Sequence, residues 1–318
     1  MDRMRSLILY DSKYGATEKM ASILGMVVGQ CCVKKVVDFT VEDKSYDYYI
    51  LGSPIYSGKI TNQMIEFLRQ HYEWLRTKKV FFYVVDLEGA SGDKYLHPIR
   101  LLLGTALKLS RSLGGYLQIN GLDAKDYEDI QAFCDYIGLP FQNMNYYDLK
   151  TVVDFGLDVK ALMLEMAEKL DEKIVWRLCE SFIKLHNTCV LCTGHDELVR
   201  ATPIEYSYYK KKLYFMSEGG VKFANLFMNA HVSVAIFDPF TTWETLAGMQ
   251  ISGQIEMVPY KCDEFYDILK QRNISQKEYD EMKTALHVFK LNMEQIEFLN
   301  SSFKEYGGSA SQVLKLTK

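Results

Sequence analysis

Leu7-Ile8-Leu9-Tyr10-Asp11-Ser12-Lys13-Tyr14-Gly15-Ala16-Thr17 is the stretch whose reading decides the fold. It opens with an apolar run, Leu7 to Tyr10. Behind it Met20, Ile23, Leu24 and Val27 recur at spacings of three and four, the period of a helix. Ser12 to Thr17 is therefore a strand-to-helix turn carrying hydroxyls, a glycine and free backbone amides. The first amides of a helix have no partner inside it, and the helix dipole adds partial positive charge there. A phosphate group fits such a turn. Ser12 and Thr17 add hydroxyl donors, and Gly15 permits close backbone approach.

Outward from this turn, residues 1 to 170 alternate short apolar runs with amphipathic stretches. The pattern predicts strands at Ser6–Tyr10, Val33–Asp38, Tyr48–Gly52, Val80–Val85 and Tyr116–Ile119. It predicts helices at Thr17–Gly29, Asn62–Arg76, Pro98–Leu113, Tyr127–Ile137 and Val159–Lys173, the last continuing to about Lys184 as a bridge between two halves. Five strands alternating with helices imply a doubly wound parallel α/β sheet. Ligands of such sheets bind beyond the carboxyl ends of the strands. Three loops are expected there: Ser12–Thr17, Gly52-Ser53-Pro54-Ile55-Tyr56-Ser57-Gly58, and Asp86-Leu87-Glu88-Gly89-Ala90-Ser91-Gly92.

The first loop resembles the phosphate loop of flavodoxins, Ser/Thr-x-Thr/Tyr-Gly-x-Thr. The Leu-Tyr-x-Ser-x-Tyr-Gly-x-Thr start and the Gly-Ser-Pro-Ile-Tyr-x-Gly loop are similar to the flavodoxin-like domains of menaquinone-dependent protoporphyrinogen oxidases. The resemblance implies FMN. Its phosphate would be held by Ser12, Lys13, Tyr14, Gly15, Ala16 and Thr17, mainly through backbone amides. The ring edge would meet Pro54, Ile55, Tyr56, Ser57 and Gly58, with Leu87, Glu88 and Gly89 opposite.

The pattern changes near Asp171-Glu172-Lys173. Short strands are predicted at Thr188–Thr193, Val199–Tyr208, Lys212–Met216, Val232–Phe237, Gln250–Val258 and His287–Leu291, with a helix at Phe223–Met228. Six strands with short helices point to a closed or partly closed barrel. The order of features resembles the pyridoxamine 5'-phosphate oxidase-like FMN-binding split barrel. Val199-Arg200-Ala201-Thr202-Pro203-Ile204 stands where that family supplies an arginine to FMN. Leu213-Tyr214-Phe215-Met216-Ser217 followed by Val221-Lys222 stands where a hydroxyl and a lysine contact the phosphate. The resemblance thus implies Arg200, Ser217 and Lys222 as cofactor contacts and a homodimer through the barrel. Ala230 replaces the family's usual proline. The C-terminal arginine and tryptophan signature of true pyridoxamine phosphate oxidases is missing, which argues against that activity.

Composition bounds the alternatives. At 318 residues two domains are expected, here 1–172 and 173–318. A net charge of −4 gives no basic footprint for nucleic acid. No apolar run reaches the length of a membrane span. Seven cysteines without a regular framework suit a reducing cytosol, so a cytoplasmic location is expected. Cys189 and Cys192, three apart on a strand, face opposite ways and form no pair. The six histidines are scattered, and no metal site is expected. Catalytic residues are not identifiable from these patterns.

The expectation is an FMN-binding flavoprotein, an oxidoreductase passing electrons between flavin on the first domain and a flavin or substrate on the second. Reduced nicotinamide, quinone and ferredoxin are the candidate redox partners. The alternatives are a haem- or porphyrin-handling oxidoreductase and a non-catalytic FMN-binding sensor.

Overall fold

Strand β1 (Ser6–Tyr10) is buried along its whole length. A strand with five consecutive buried residues must have a neighbour on each edge and cover on each face. Both conditions hold in the computed structural model, which describes residues 5–87, 92–138 and 140–316. β2 (Cys31–Lys35) and β3 (Tyr48–Tyr56) flank β1 in parallel, with Ile8 opposite Val33 on one side and Ile50 on the other. β4 (Lys79–Asp86) and β5 (Leu107–Gly114) continue the sheet beyond β3, also in parallel. The spatial order is β2-β1-β3-β4-β5.

Alternation along the strands sorts the side chains onto two faces. Leu7, Leu9, Leu51, Phe82 and Val84 pack under α2 (Asn62–Gln70) and α3 (Asp93–Leu103). Ile8, Ile50, Phe81 and Tyr83 pack under α1 (Ala16–Val28) and, from a later segment, the helix Leu149–Met166. Each fully buried Leu or Phe contributes about 1.5–3 kcal/mol of transfer free energy. The N-terminal half is therefore a doubly wound α/β sheet, as its apolar periodicity requires.

Three expectations need correction. The helix predicted over 98–113 ends at Leu103, where Gly104 turns the chain with φ 52°. Residues 107–113 read Leu-Lys-Leu-Ser-Arg-Ser-Leu, an alternation of period two, and form β5. The fifth strand therefore lies at 107–114. Tyr116–Leu117 pairs instead with Met144–Asn145 as a two-residue antiparallel ladder. Between those rungs sits α4 (Ala124–Ile137), capped by the Asp123 side chain, which accepts from the amide of Asp126. Next, β3 does not stop at Gly52. It runs to Tyr56 and turns back through Ser57 (φ 48°) and Gly58 (φ 71°) to pair with Lys59–Ile60. Two successive positive φ angles are what a two-residue hairpin turn demands. Finally, the bridging helix is two helices. α5 (Leu149–Met166) ends before Ala167, and α6 (Glu172–Leu185) starts afresh with Asp171 accepting from the amide of Lys173.

The chain divides into two compact units between Ala167 and Glu168. In the second unit β6 (Thr188–His195), β7 (Leu198–Tyr209) and β8 (Lys212–Ser217) form an antiparallel meander. After α7 (Val221–Met228) come β9 (His231–Phe237), which pairs with β6, and β10 (Ala247–Met257), which pairs with β9. The long strand β11 (His287–Asn300) pairs with β10 and also with β8, so six strands close on themselves. β12 (Ser311–Lys315) adds to the outer half of β11. A register shift between Ser252 and Gly253 lets β10 bend. A Cβ on Gly253 would lie 2.1 Å from the carbonyl oxygen of Asn292, so only glycine fits there.

Leu191, Leu213, Phe215, Val234, Ile251 and Phe289 fill the barrel. On its outside, α8 (Asp263–Gln271) contributes Phe265, Ile268 and Leu269 to a second cluster with Tyr214 and Val288. Lys290, 7% exposed, is held there by Glu264 at 2.9 Å and Glu256 at 3.1 Å, and Tyr214 donates to Glu264. Burial opposes the Lys290 charge, but these hydrogen bonds outweigh it and raise its pKa. Removing either side of such a pair would strand a buried charge.

Candidate flavin sites

The turn after β1 is built by one residue in the left-handed region. Gly15, φ 84°, stands just before α1, and its amide donates to the Ser12 hydroxyl at 3.1 Å. The amide of Lys19 returns to the carbonyl of Gly15 at 2.9 Å, the first turn of the helix. The amides of Ala16, Thr17 and Glu18 are thereby left pointing out of the helix end. Thr17 is buried, and its hydroxyl has no hydrogen-bond partner among the described residues. Such an orphaned donor costs free energy unless a ligand or water meets it. Tyr83, fully buried behind it, reaches the Thr17 carbonyl at 3.5 Å and fixes the helix start to the sheet.

The second loop reaches the first. Tyr56, at the end of β3, accepts from the amide of Lys13 at 3.3 Å, and its ring meets Tyr14 edge-on at 6.1 Å. Burial raises the Tyr56 pKa, and the backbone bonds from Lys13 and Tyr14 work against that rise. Two of the loop amides, those of Lys13 and Gly15, are thus engaged by the protein's own oxygens. Pro54 is buried within the strand, Ile55 half-buried, and Ser57 and Gly58 form the exposed turn. Leu87 follows β4 at the same end of the sheet. Glu88 and Gly89 lie outside the described residues.

Sequence reading missed one feature. Lys13 bridges Asp123 at 2.6 Å and Asp126 at 2.8 Å, and Tyr14 donates to Asp126. The start of α4 is thereby clasped to the phosphate-type loop. The two carboxylates raise the Lys13 pKa, Asp123 first. The amide of Asp126 and then Lys13 lower that of Asp123, while Lys13 and then Tyr14 lower that of Asp126. No spacing rule connects residue 13 to residues 123 and 126, so only the folded chain brings them together.

In the second unit, Ser217 ends β8, and its hydroxyl accepts from the amide of Gly219 at 3.3 Å. Gly219 and Gly220 have φ 137° and 105°, and Lys222 begins α7 with its ammonium on the Gly219 carbonyl at 2.6 Å. Burial lowers the Lys222 pKa, and the charge of Arg200 lowers it further; Glu218 partly opposes them. Ser217 and Lys222 thus flank the turn into α7, and the charge of Arg200, on β7, reaches Lys222. An anion would relieve that repulsion.

Beside them, and lined by none of the three, a groove of about 450 Å³ runs over the outward side of β6, β9 and β10. Thr193, Ser233, Ser252, Asn229, His231 and Glu294 line it. Under it Asn225 is fully buried. Its Nδ2 donates to the Thr193 hydroxyl at 3.1 Å, and its Oδ1 has no partner among the described residues. Cys189 faces inward and Cys192 outward, both as free thiols. No cluster of His, Cys, Asp or Glu suited to a metal occurs among the described residues.

Residues 7–133 match the flavodoxin domain family, and residues 176–300 match the pyridoxamine 5'-phosphate oxidase family. The chain joins a flavodoxin-like domain to a split barrel of the pyridoxamine 5'-phosphate oxidase type. Among solved structures, an FAD-binding protein from Mesorhizobium loti is 17% identical, with 41% of this chain and 95% of that one covered, at a TM-score of 0.32. Campylobacter jejuni ChuZ is 16% identical over 54% of this chain and 73% of its own, at 0.37. HutZ, a haem storage protein from Vibrio cholerae, is 14% identical over 41% and 94%, at 0.33. No curated protein matches. Both domain types support a flavin-binding protein. The flavodoxin-like domain presents its uncharged donors at the end of β1, and the split barrel presents Lys222 at the start of α7 and Arg200 on β7. No helix among the described residues is long and apolar enough to cross a membrane.

Proposed function

We propose that this protein is an FMN-dependent electron-transfer oxidoreductase. The buried, unpartnered hydroxyl of Thr17 at an open helix N-terminus carries the reading. The turn from Ser12 to Thr17 would hold the phosphate, chiefly by the free amides of Ala16, Thr17 and Glu18 and the Thr17 hydroxyl, with Ser12, Lys13, Tyr14 and Gly15 shaping the loop. Pro54 to Gly58 and Leu87 would flank the ring. Bound there, flavin supplies one- or two-electron exchange. The protein's part is to bind the phosphate without a cation, to set the ring's surroundings with Tyr56, and to limit water around it.

Arg200, Ser217 and Lys222 support a second phosphate-binding position on the barrel, for another flavin or for a phosphorylated substrate. Reduced nicotinamide, a quinone or a ferredoxin would be the external electron partner. Exposed Leu198, Val199, Phe227 and Met228, close in sequence to the groove-lining residues, support pairing of two barrels into a homodimer. A cytoplasmic setting accords with seven free thiols.

Flavin stoichiometry tests the reading. Purified or reconstituted protein is expected to hold flavin that chromatography identifies as FMN. Replacing Ser12 and Thr17 by bulky residues should remove one equivalent, and replacing Arg200 and Lys222 the other. A colourless protein that titrates with no flavin overturns it.

A further inference from the structure

We propose that the Tyr56 hydroxyl is an internal competitor at the flavodoxin-like loop, holding backbone amides that a ligand phosphate must take over. The inference rests on phosphate binding at that loop and adds what opposes it. The Tyr56 oxygen accepts from the Lys13 amide at 3.3 Å, and the Tyr14 amide is turned to the same oxygen. Successive amides converging on one acceptor form the kind of concavity that holds an anion. Here a neutral phenol oxygen fills it. One residue further on, the chain enters α1, with the open amides of Ala16, Thr17 and Glu18 and the unpartnered Thr17 hydroxyl.

Of the two partners in this contact, Tyr56 is the one able to leave. The loop is fastened at three points. The Asp11 amide donates to the Gly52 carbonyl at 3.0 Å, the Lys13 ammonium is held by Asp123 and Asp126, and Tyr14 donates to Asp126. Tyr56, by contrast, is partly exposed and ends β3 on a two-residue ladder with Lys59–Ile60. Ser57, a non-glycine residue at φ 48°, begins the turn that closes it. So short a ladder, closed through a strained residue, opens readily. Hydrogen bonds to a charged phosphate oxygen are about twice as strong as those to a neutral one. The phosphate therefore displaces the phenol, but its net affinity is lowered by the bonds it breaks. Removing the hydroxyl while keeping the ring should then strengthen binding, the reverse of what losing an ordinary contact does.

The experiment uses the full chain in an Arg200→Glu, Lys222→Glu background, so that the barrel does not contribute. Inorganic phosphate is titrated by calorimetry, and FMN and riboflavin by fluorescence quenching. In Tyr56→Phe, phosphate and FMN should each bind about fivefold tighter, the worth of one neutral hydrogen bond, and riboflavin should be unchanged. In Tyr56→Leu, which also loses the ring, phosphate should tighten by the same factor while riboflavin weakens. Unchanged or weaker binding of phosphate and FMN in Tyr56→Phe overturns the competition while leaving the loop reading intact. If neither phosphate nor FMN binds with any residue at position 56, the loop reading fails, and the competition with it. Circular dichroism of both variants checks that the fold persists.

Discussion

The loop after β1 and the turn before α7 would meet a phosphate with opposite chemistry. The first has amides, hydroxyls and a helix dipole, and its one lysine is neutralised by Asp123 and Asp126. The second has two cations in each other's field, with the Lys222 pKa lowered by burial and by Arg200. Dipolar donors act at contact distance and are already oriented, so their grip depends on shape. Cations act at longer range and answer to salt and pH. If both proposed sites bind, solution conditions should separate them.

Removing the barrel cations gives the largest expected difference. Arg200→Ala with Lys222→Ala should weaken phosphate-group binding at the barrel by about 100-fold, the sum of two charge-assisted hydrogen bonds. Calorimetric titration with FMN reads it, and an unchanged barrel affinity would remove the contrast. At the other site, Gly15→Val forces a branched residue into φ 84°. It should cost about 1–2 kcal/mol of stability in urea unfolding and lower FMN affinity at the loop more than tenfold, with the barrel site untouched. Raising salt from about 0.05 to about 0.5 M should weaken the barrel site about fivefold and the loop less than twofold. Equal salt slopes would mean that the loop also uses a cation.

The smallest effect is in pH. The Lys222 pKa lies below its ordinary value of 10.5, so the ammonium deprotonates earlier than a free lysine. Barrel affinity should therefore begin to fall below that pH, while loop affinity stays flat. Phosphate binding favours the charged form, so the bound protein should release that proton later than the free one. Titration of barrel affinity in wild type and Lys222→Arg separates the two, since arginine abolishes the slope.

Much of this was legible in the residues, for stated reasons. A continuous apolar run such as Leu7–Tyr10, followed at once by a helical period, has few folded solutions, and β1 and α1 appear where the pattern puts them. The barrel strands also follow their alternation. The fifth strand escaped because the leucines from 101 to 113 satisfy a helical period and a strand period together, and Gly104 decides between them. The sequence places Tyr56 in a loop, whereas the Ser57–Gly58 turn makes it the last rung of a hairpin. The Lys13 clasp was invisible because its partners are over a hundred residues away. The burial of Asn225 is not legible, because a buried asparagine has no local signature. Arg200 and Lys222, on separate elements in sequence, are singled out only by family resemblance.

β11 has one more consequence, for the order of assembly. It is the strand that registers with both β8 and β10. Until the ribosome has released residue 300, the earlier strands can form no more than an open array with two unsatisfied margins, a state prone to pairing with other chains. Completion of the barrel thus waits on β11, and a chain halted before His287 would expose both margins at once.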